Sequence, residues 1–356
     1  MAQQASERPL LVTGGAGFIG SCFVRRQAAA GQAVVTLDLL TYAGRRENLP
    51  DSPNQRLVVG DIRDGAMLAA LFAEAQPRAV VHFAAESHVD RSLIDAAAFV
   101  SVNVEGTWRL LEAALAHWDG LKGTARDRFR FLHISTDEVF GSLGLQDPPF
   151  SEASPYDPRS PYAASKAAAD HLVRAWHHSY GLPALLVNCS NNYGPHQFPE
   201  KLIPLVITNA LLGRPLPVYG EGANVRDWLH VEDHCAALEL VLRRGRLGET
   251  YCIGGEAERQ NLAVVEAVCD LLDRLEPRLQ GSHREQITFV ADRPGHDLRY
   301  AIDCSKAKLE LGWAGGRPFA EGLHQTVAWY RANRPWWEAI RNQVYDADRL
   351  GLRARS

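Results

Sequence analysis

Residues 10–38 constrain the fold more than any other stretch. Leu10-Leu-Val-Thr13 reads as a buried strand that runs directly into Gly14-Gly-Ala-Gly17-Phe-Ile-Gly20, and a helical pattern follows. Glycines spaced G-x-x-G-x-x-G at a strand-to-helix turn have separate tasks. Gly14 permits the tight turn, Gly17 lets a pyrophosphate approach the backbone, and Gly20 lets helix and strand pack closely. The phosphates then lie at the positive helix N-terminus. Asp38 ends the next strand, 18 residues after Gly20. A carboxylate there accepts hydrogen bonds from a ribose diol and repels a 2′-phosphate, so NAD is expected rather than NADP. Arg45 and Arg46 nearby are the counter-argument. A purely structural glycine turn is the alternative, and the strand–turn–helix context disfavours it.

The alternation continues through the first half. Candidate strands lie at 10–13, 33–38, 56–59, 79–84, 130–135 and 184–189, several of them continuous apolar runs suited to burial on both faces. Helices are expected over 18–30 and 99–118. In the second, Val104, Trp108, Leu111 and Leu115 recur at spacings of three and four. Ser160 fits an N-cap and Pro161 the first helical position, opening a helix towards His178. Beyond about residue 190, prolines at 195, 199, 204, 215 and 217 break the pattern, and only 249–254 reads as a further strand. The expected fold is α/β: a doubly wound, parallel, Rossmann-type sheet with a smaller, mostly C-terminal substrate-binding lobe. The dinucleotide-binding domain covers 8–190, with the 249–254 strand returning to it. The lobe covers mainly 191–335, and 336–356 is a peripheral tail.

A chain of 356 residues buries enough surface to need no disulfide or metal staple. Its net charge of −4 argues against nucleic-acid and membrane-surface partners, both of which are negative. No run approaches the 18 apolar residues of a membrane span, and the first residues lack a basic-then-apolar leader, so a cytoplasmic protein is expected. The six cysteines are scattered with no C-x-x-C pair, which suits small buried thiols rather than disulfides or zinc. His82 and His88 have no metal-spaced partners and read as structural. No metal site is expected.

Tyr162 and Lys166, four apart, share one face of the expected helix. A nearby ammonium and a positive nicotinamide ring would lower the phenol from its usual value near 10, making it a base for a sugar hydroxyl. Alone, Y-x-x-x-K is a common chance pattern; behind a dinucleotide loop it carries weight. The fifth strand ends in Ser135-Thr136-Asp137-Glu138, where catalytic groups of doubly wound sheets gather. Thr136 can hydrogen-bond the reacting oxygen beside Tyr162. Two adjacent acids can take separate roles once environment splits their pKa values, although an acid pair opening a helix is the plainer reading. Asp61 and Ile62 end the third strand where an adenine would lie. Phe83, Ala84 and Ala85 end the fourth with small residues that leave room for a cofactor.

These residues carry a family resemblance. The chain resembles extended short-chain dehydrogenases/reductases, and among them dTDP-glucose 4,6-dehydratases, over about residues 8–335. The resemblance rests on TGGAGFIG (13–20), DLLTYAG (38–44), GDIRD (60–64), AAESHVDRS (84–92), STDEVFG (135–141), SPYAASKAAAD (160–170), SNNYGPHQFPEKLIP (190–204), RDWLHVEDH (226–234) and DRPGHDLRYAID (292–303). It implies a three-stage reaction. Tyr162 takes the sugar 4-hydroxyl proton as hydride passes from C4 to NAD. Glu138 removes the acidified C5 proton while Asp137 protonates the departing C6 hydroxyl. The hydride then returns to C6. The resemblance also implies cofactor contacts from Gly14, Gly17, Phe18, Ile19, Gly20, Asp38, Leu39, Thr41, Asp61, Ile62, Phe83, Ala84, Ala85, Ser87, Val102, Tyr162, Lys166 and Asn192. For dTDP-glucose it implies Ser87, Thr136, Asn191, Lys201, Leu202, Pro217, Val218, Tyr219, Arg226, Asn261, Asp292, Arg293, His296 and Tyr300, with the Arg226 guanidinium suited to a diphosphate. A homodimer through 99–118 and 161–178 is implied as well. Val102, the His196-Gln197 pair and His230 depart from the family pattern of Thr, Tyr-His and Tyr. The rivals are a nucleotide-sugar 4-epimerase, which shares the loop and the Tyr-Lys pair but needs no acid pair, and a non-catalytic NAD-binding sensor or scaffold.

Overall fold

Successive residues of a strand point to opposite faces, and in β1 (Leu10–Thr13) both faces are apolar: Leu10 and Val12 join one core, Leu11 another. The computed structural model describes residues 8–292 and 295–343. Five further strands follow in the first half: β2 (Val34–Asp38), β3 (Gln55–Val59), β4 (Ala79–His82), β5 (Arg130–Thr136) and β6 (Ala184–Cys189). The second half adds β7 (Asn191–Tyr193), β8 (Leu216–Tyr219), β9 (Val225–His230), β10 (Thr250–Ile253), β11 (Glu258–Gln260) and β12 (Ile287–Val290). Seven strands form one parallel sheet in the order β10-β6-β5-β4-β1-β2-β3. The chain moves outward from β1 to β3, then returns to lay β4 on the other side of β1. That reversal opens a crevice beyond the carboxyl ends of β1 and β4, where doubly wound sheets bind ligands.

The Pro161–Tyr180 helix starts as its sequence dictates: the Ser160 hydroxyl accepts from Ala163 N, Pro161 holds the first turn, and Gly181 ends it in the left-handed conformation. The helix expected over 99–118 is instead three pieces. Ala96–Phe99 is helical, Val100–Gly106 widens into a π-helix, and Thr107–Gly120 resumes the α-helix. The widened turn carries Val102 and Asn103 beside the crevice, a placement typical of π-turns near functional sites.

The lobe corrects the expectation of a single late strand. β7, β9 and β11 form a three-stranded sheet, and β8 pairs with β12. These strands escaped notice for physical reasons. Four are only three or four residues long. Pro217 interrupts β8, which tolerates it because a two-stranded pair is all edge. In β9 the buried residues include Arg226 and Asp227, so no apolar pattern shows. The lobe has its own core, with Ile203, Val206, Val265, Leu272 and Trp337 fully buried. The chain beyond 190 also re-enters the main core: Leu229, Leu238, Tyr251, Ile302 and Leu311 pack with β1, β5 and β6.

Candidate active site

The glycine loop is built as its spacing requires. At Gly14, with φ of +68°, an added Cβ would lie 2.5 Å from the backbone nitrogen of Ala84. At Gly20 it would lie 2.3 Å from the Gly14 carbonyl, so only glycine lets the helix approach the strand. At Gly17 it would meet only the Gly14 carbonyl, at 3.3 Å, which leaves the turn open towards the crevice. Asp38 tethers the loop: its carboxylate accepts Ala16 N–H at 2.9 Å and Leu40 N–H at 2.8 Å. Burial pushes this carboxyl up, and the two backbone donors hold it back. Asp61 is held down by Arg63, which donates to it at 2.6 to 3.0 Å. Neither Arg45 nor Arg46 reaches the crevice wall.

The crevice is a cavity of about 490 Å³. Every residue expected to touch the cofactor lines it, Leu39, Thr41, Ser87, Val102 and Asn192 included, together with Thr136, Asp137, Glu138, Tyr162 and Lys166. The open backbone at Gly17, the small wall at Ala84 and the Asp38 carboxylate therefore fit a dinucleotide lying across β1 and β2.

At the end of β5, Thr136 Oγ1 accepts Glu138 N–H at 3.3 Å and donates to Asp137 Oδ1 at 3.3 Å. Asp137 is 1% exposed and its Oδ2 has no partner. Burial first, then the Glu138 charge, then Asp227 push its carboxyl well above the usual range, which favours the protonated acid. Glu138 beside it is only half-buried and lines the cavity. Burial thus sets Asp137 apart from its more exposed neighbour.

Tyr162 differs from expectation. The Lys166 ammonium donates to the Ile134 carbonyl at 2.8 Å and lies 3.5 Å from His133 Nε2. The phenol is pushed well above 10, by burial first and the Glu138 charge second. Lys166 does not by itself lower it; desolvation outweighs an ammonium directed elsewhere.

The expected sugar-nucleotide contacts divide. Ser87, Thr136, Asn191 and Lys201 line the cavity, and the Lys201 ammonium donates to the Ser87 carbonyl at 3.0 Å. Arg226 and Tyr300 lie behind the acids: the guanidinium is 4.2 Å over the Tyr300 ring and donates to the carbonyls of Val225 (2.7 Å) and Asp297 (2.9 Å). The guanidinium is thus anchored by backbone carbonyls beside the Tyr300 ring. Tyr219, which donates to Asp90 at 3.3 Å, and the Asp292–His296 pair, at 2.7 Å, group beside Pro217 further along the lobe. Asn261 opens a helix with its Oδ1 buried and unpartnered. Leu202 packs against the lobe core, and the Val218 side chain is inside it, so Val218 has only backbone to offer a ligand. Arg293 lies outside the described residues.

His82 is buried between the hydroxyls of Thr13 (2.7 Å) and Thr107 (3.0 Å), and burial keeps it neutral. His88 caps the Val89–Ile94 helix. Among the described residues no cluster of three or more His, Cys, Asp or Glu could hold a metal. His196 packs 4.4 Å from the Trp329 ring, and His230 accepts Glu232 N–H at 3.3 Å; neither of these histidines is on the cavity wall, whereas Gln197, like Val102, lines it. Sequence reasoning missed two neighbours of the site. Glu200, buried, accepts from Tyr42 at 3.1 Å and Arg91 at 3.4 Å. Asn103 ties the Glu86 backbone to Ser165. Both connect segments far apart in sequence, so no local motif reveals them.

A family model described as GDP-mannose 4,6 dehydratase matches residues 11–326. The chain is 57% identical to a dTDP-glucose 4,6-dehydratase of Xanthomonas campestris pv. campestris, over 96% of this chain and 98% of that one. It is 53% identical to the corresponding protein of Neisseria meningitidis, over 97% and 99%. Among solved structures, a dTDP-glucose 4,6-dehydratase from Streptomyces venezuelae with NAD and TYD bound is similar at a TM-score of 0.84 and 49% identity, covering 93% of this chain and 99% of that one. A UDP-glucose 4-epimerase of Thermus thermophilus in complex with NAD is similar at 0.81 and 30%, over 91% and 99%.

Proposed function

Because the chain belongs to the dTDP-glucose 4,6-dehydratase family, we propose a role in that reaction for each residue gathered at the cavity. The protein is an NAD-dependent hydro-lyase that converts dTDP-glucose to dTDP-4-keto-6-deoxyglucose. Bound NAD supplies the hydride acceptor and donor, and its positive ring offsets the burial that holds the Tyr162 proton. Tyr162, steadied by Thr136, removes the proton of the sugar 4-hydroxyl. Lys166 keeps a positive charge behind it. Glu138, half-exposed to the cavity, takes the C5 proton, and Asp137 delivers its proton to the leaving C6 hydroxyl. Asp38 accepts from the ribose diol, and Asn191 and Lys201 hold the sugar nucleotide.

The observation that carries this assignment is the unequal acid pair: a buried Asp137, its carboxyl pushed well up, beside a half-exposed Glu138 on the cavity wall. A 4-epimerase uses the glycine loop and Tyr162-Lys166 but has no step for two acids. A sensor or scaffold has no step for any of them. We also propose a homodimer through Thr107–Gly120 and Pro161–Tyr180. Trp108 and Trp176 are half-exposed there and Tyr180 is 55% exposed, whereas Leu111 is already in the core. Six buried free thiols suit the reducing cytoplasm. Among the described residues no helix is long and apolar enough to cross a membrane.

The test is an isotope experiment. With deuterium at C4 of dTDP-glucose in ordinary water, the product loses one water and carries the label at C6; in heavy water, solvent deuterium enters C5. A product of unchanged mass, or a label washed into solvent, refutes the assignment.

A further inference from the structure

Tyr162, Lys166, Asp170 and Arg174 follow one another at four-residue spacing and form one stripe along the Pro161–Tyr180 helix. The proposed reaction uses the first two. Asp170 does not line the cavity, yet it is fully buried. A carboxylate stays ionised away from water only where hydrogen bonds replace its hydration. Here Oδ2 accepts from Ser135 Oγ at 2.8 Å, Tyr156 Oη at 2.8 Å and Asn188 Nδ2 at 3.4 Å. Oδ1 faces His133 Nε2 at 3.1 Å, and that same nitrogen is 3.5 Å from Lys166 Nζ. Tyr156 Oη accepts in turn from Arg174 at 2.9 Å. β5, β6, the helix and the loop before it thus converge on one carboxylate that neither the glycine loop nor the acid pair requires.

Its position explains it. Lys166 is buried, and burial favours loss of its charge. The groups facing it are mostly neutral. His133 is pushed down to about 4, by burial and then by Lys166 itself. His82 is pushed down by burial. Cys189 and Tyr162 are pushed up by burial and keep their protons. Arg174 is positive, pushes His133 further down and donates to Tyr156 rather than meeting Lys166. Asp170 alone among these carries the opposite charge.

We propose that Asp170 is a positioning residue for C4 oxidation: from the other side of the His133 ring nitrogen, its buried negative charge keeps the Lys166 ammonium charged and directed at the Ile134 carbonyl. The inference rests on the reaction assigned above but can fail separately from it. The probe is protein carrying ¹³Cε-lysine, whose carbon shift reports the charge on each ammonium. Five lysines, at 122, 166, 201, 306 and 308, make the spectrum simple, and Lys166→Met assigns the resonance. In the parent, Lys166 is charged at pH 7.5. In Asp170→Asn its midpoint falls by about 1–3 pH units, the usual effect of removing an opposite charge at this range. The alkaline limb of single-turnover C4 oxidation moves to lower pH by the same amount, because the ammonium is lost earlier as pH rises. Tyr156→Phe keeps the carboxylate and leaves the midpoint in place. A neutral Lys166 in the parent overturns the inference whether or not the variant folds. So does an unmoved midpoint in folded Asp170→Asn, or an equal shift in Tyr156→Phe. A parent that never converts dTDP-glucose sinks the functional assignment, while the carbon shifts still decide the role of Asp170.

Discussion

Replacing Asp137 by asparagine should remove activity and add stability, and the added stability should grow with pH. In the fold the Asp137 carboxyl is 1% exposed and pushed well up by burial, Glu138 and Asp227, and the role assigned to it requires that it still hold its proton near neutral pH. In the unfolded chain it ionises near 3.9. Folding must then take up a proton, and the unfolded state binds fewer protons than the folded one. Stability therefore falls as pH rises above about 4, by about 1.4 kcal/mol per pH unit, until the pH meets the folded value. Below pH 4 the acid is protonated in both states and nothing is lost. Asparagine does not titrate. Its amide adds a second buried donor, which costs about 1–3 kcal/mol if unpaired, but that offset is the same at every pH. The slope, not the offset, is diagnostic. Urea unfolding at pH 4.5, 5.5 and 6.5 should show the gap between Asp137→Asn and parent moving in the variant's favour by about 1.4 kcal/mol per step. In single turnover the variant should oxidise C4 and stall, with reduced-cofactor absorbance building up and elimination slowed about 10²–10⁴-fold, or about 3–5 kcal/mol of barrier. Parallel stability profiles would show that Asp137 is ionised in the fold, and its role as the acid would be lost with them.

The other acid and the phenol should separate by step. Glu138→Gln should slow C5 proton loss about 10²–10⁴-fold while C4 is still oxidised, whereas Tyr162→Phe should accumulate no reduced cofactor; identical behaviour of the two variants would refute the division. Gly14→Ala should lose copurified NAD, since its methyl would meet the Ala84 backbone at 2.5 Å in a left-handed turn; undiminished NAD, identified after denaturation, would contradict the account of the loop, and NADP in its place would contradict the account of Asp38.

What the sequence showed plainly was local. β1 and β6 open on unbroken apolar runs, and the groups at the carboxyl ends of the strands follow from the fold class: Gly14 after β1, Asp38 ending β2, Thr136 ending β5. Ser160 and Pro161 announced their helix because capping is decided within four residues. Legibility ended where a partner comes from afar. Asp170 fits the four-residue stripe of Tyr162 and Lys166, but its meaning depends on His133, 37 positions earlier in the chain. Glu200 depends on Tyr42 and Arg91 in the same way. Burial pushes the Tyr162 phenol up in the protein without its cofactor, an effect spacing does not reveal, because it reports which charges are near and says nothing of how much water is removed. The lobe strands were hidden by prolines and by buried Arg226 and Asp227.

The interleaving of the two halves has a consequence for synthesis. When β6 leaves the ribosome, the sheet has six strands and an open edge, because β10 begins at Thr250, 61 residues after Cys189. At about 5–20 residues per second, that edge waits about 3–12 s for its cover. Ile302 and Leu311, which complete the same core, emerge later still. An unpaired edge is a template for other strands, so the nascent first half is the stage at which this chain is most open to aggregation. A fragment ending at residue 190 would remain at that stage.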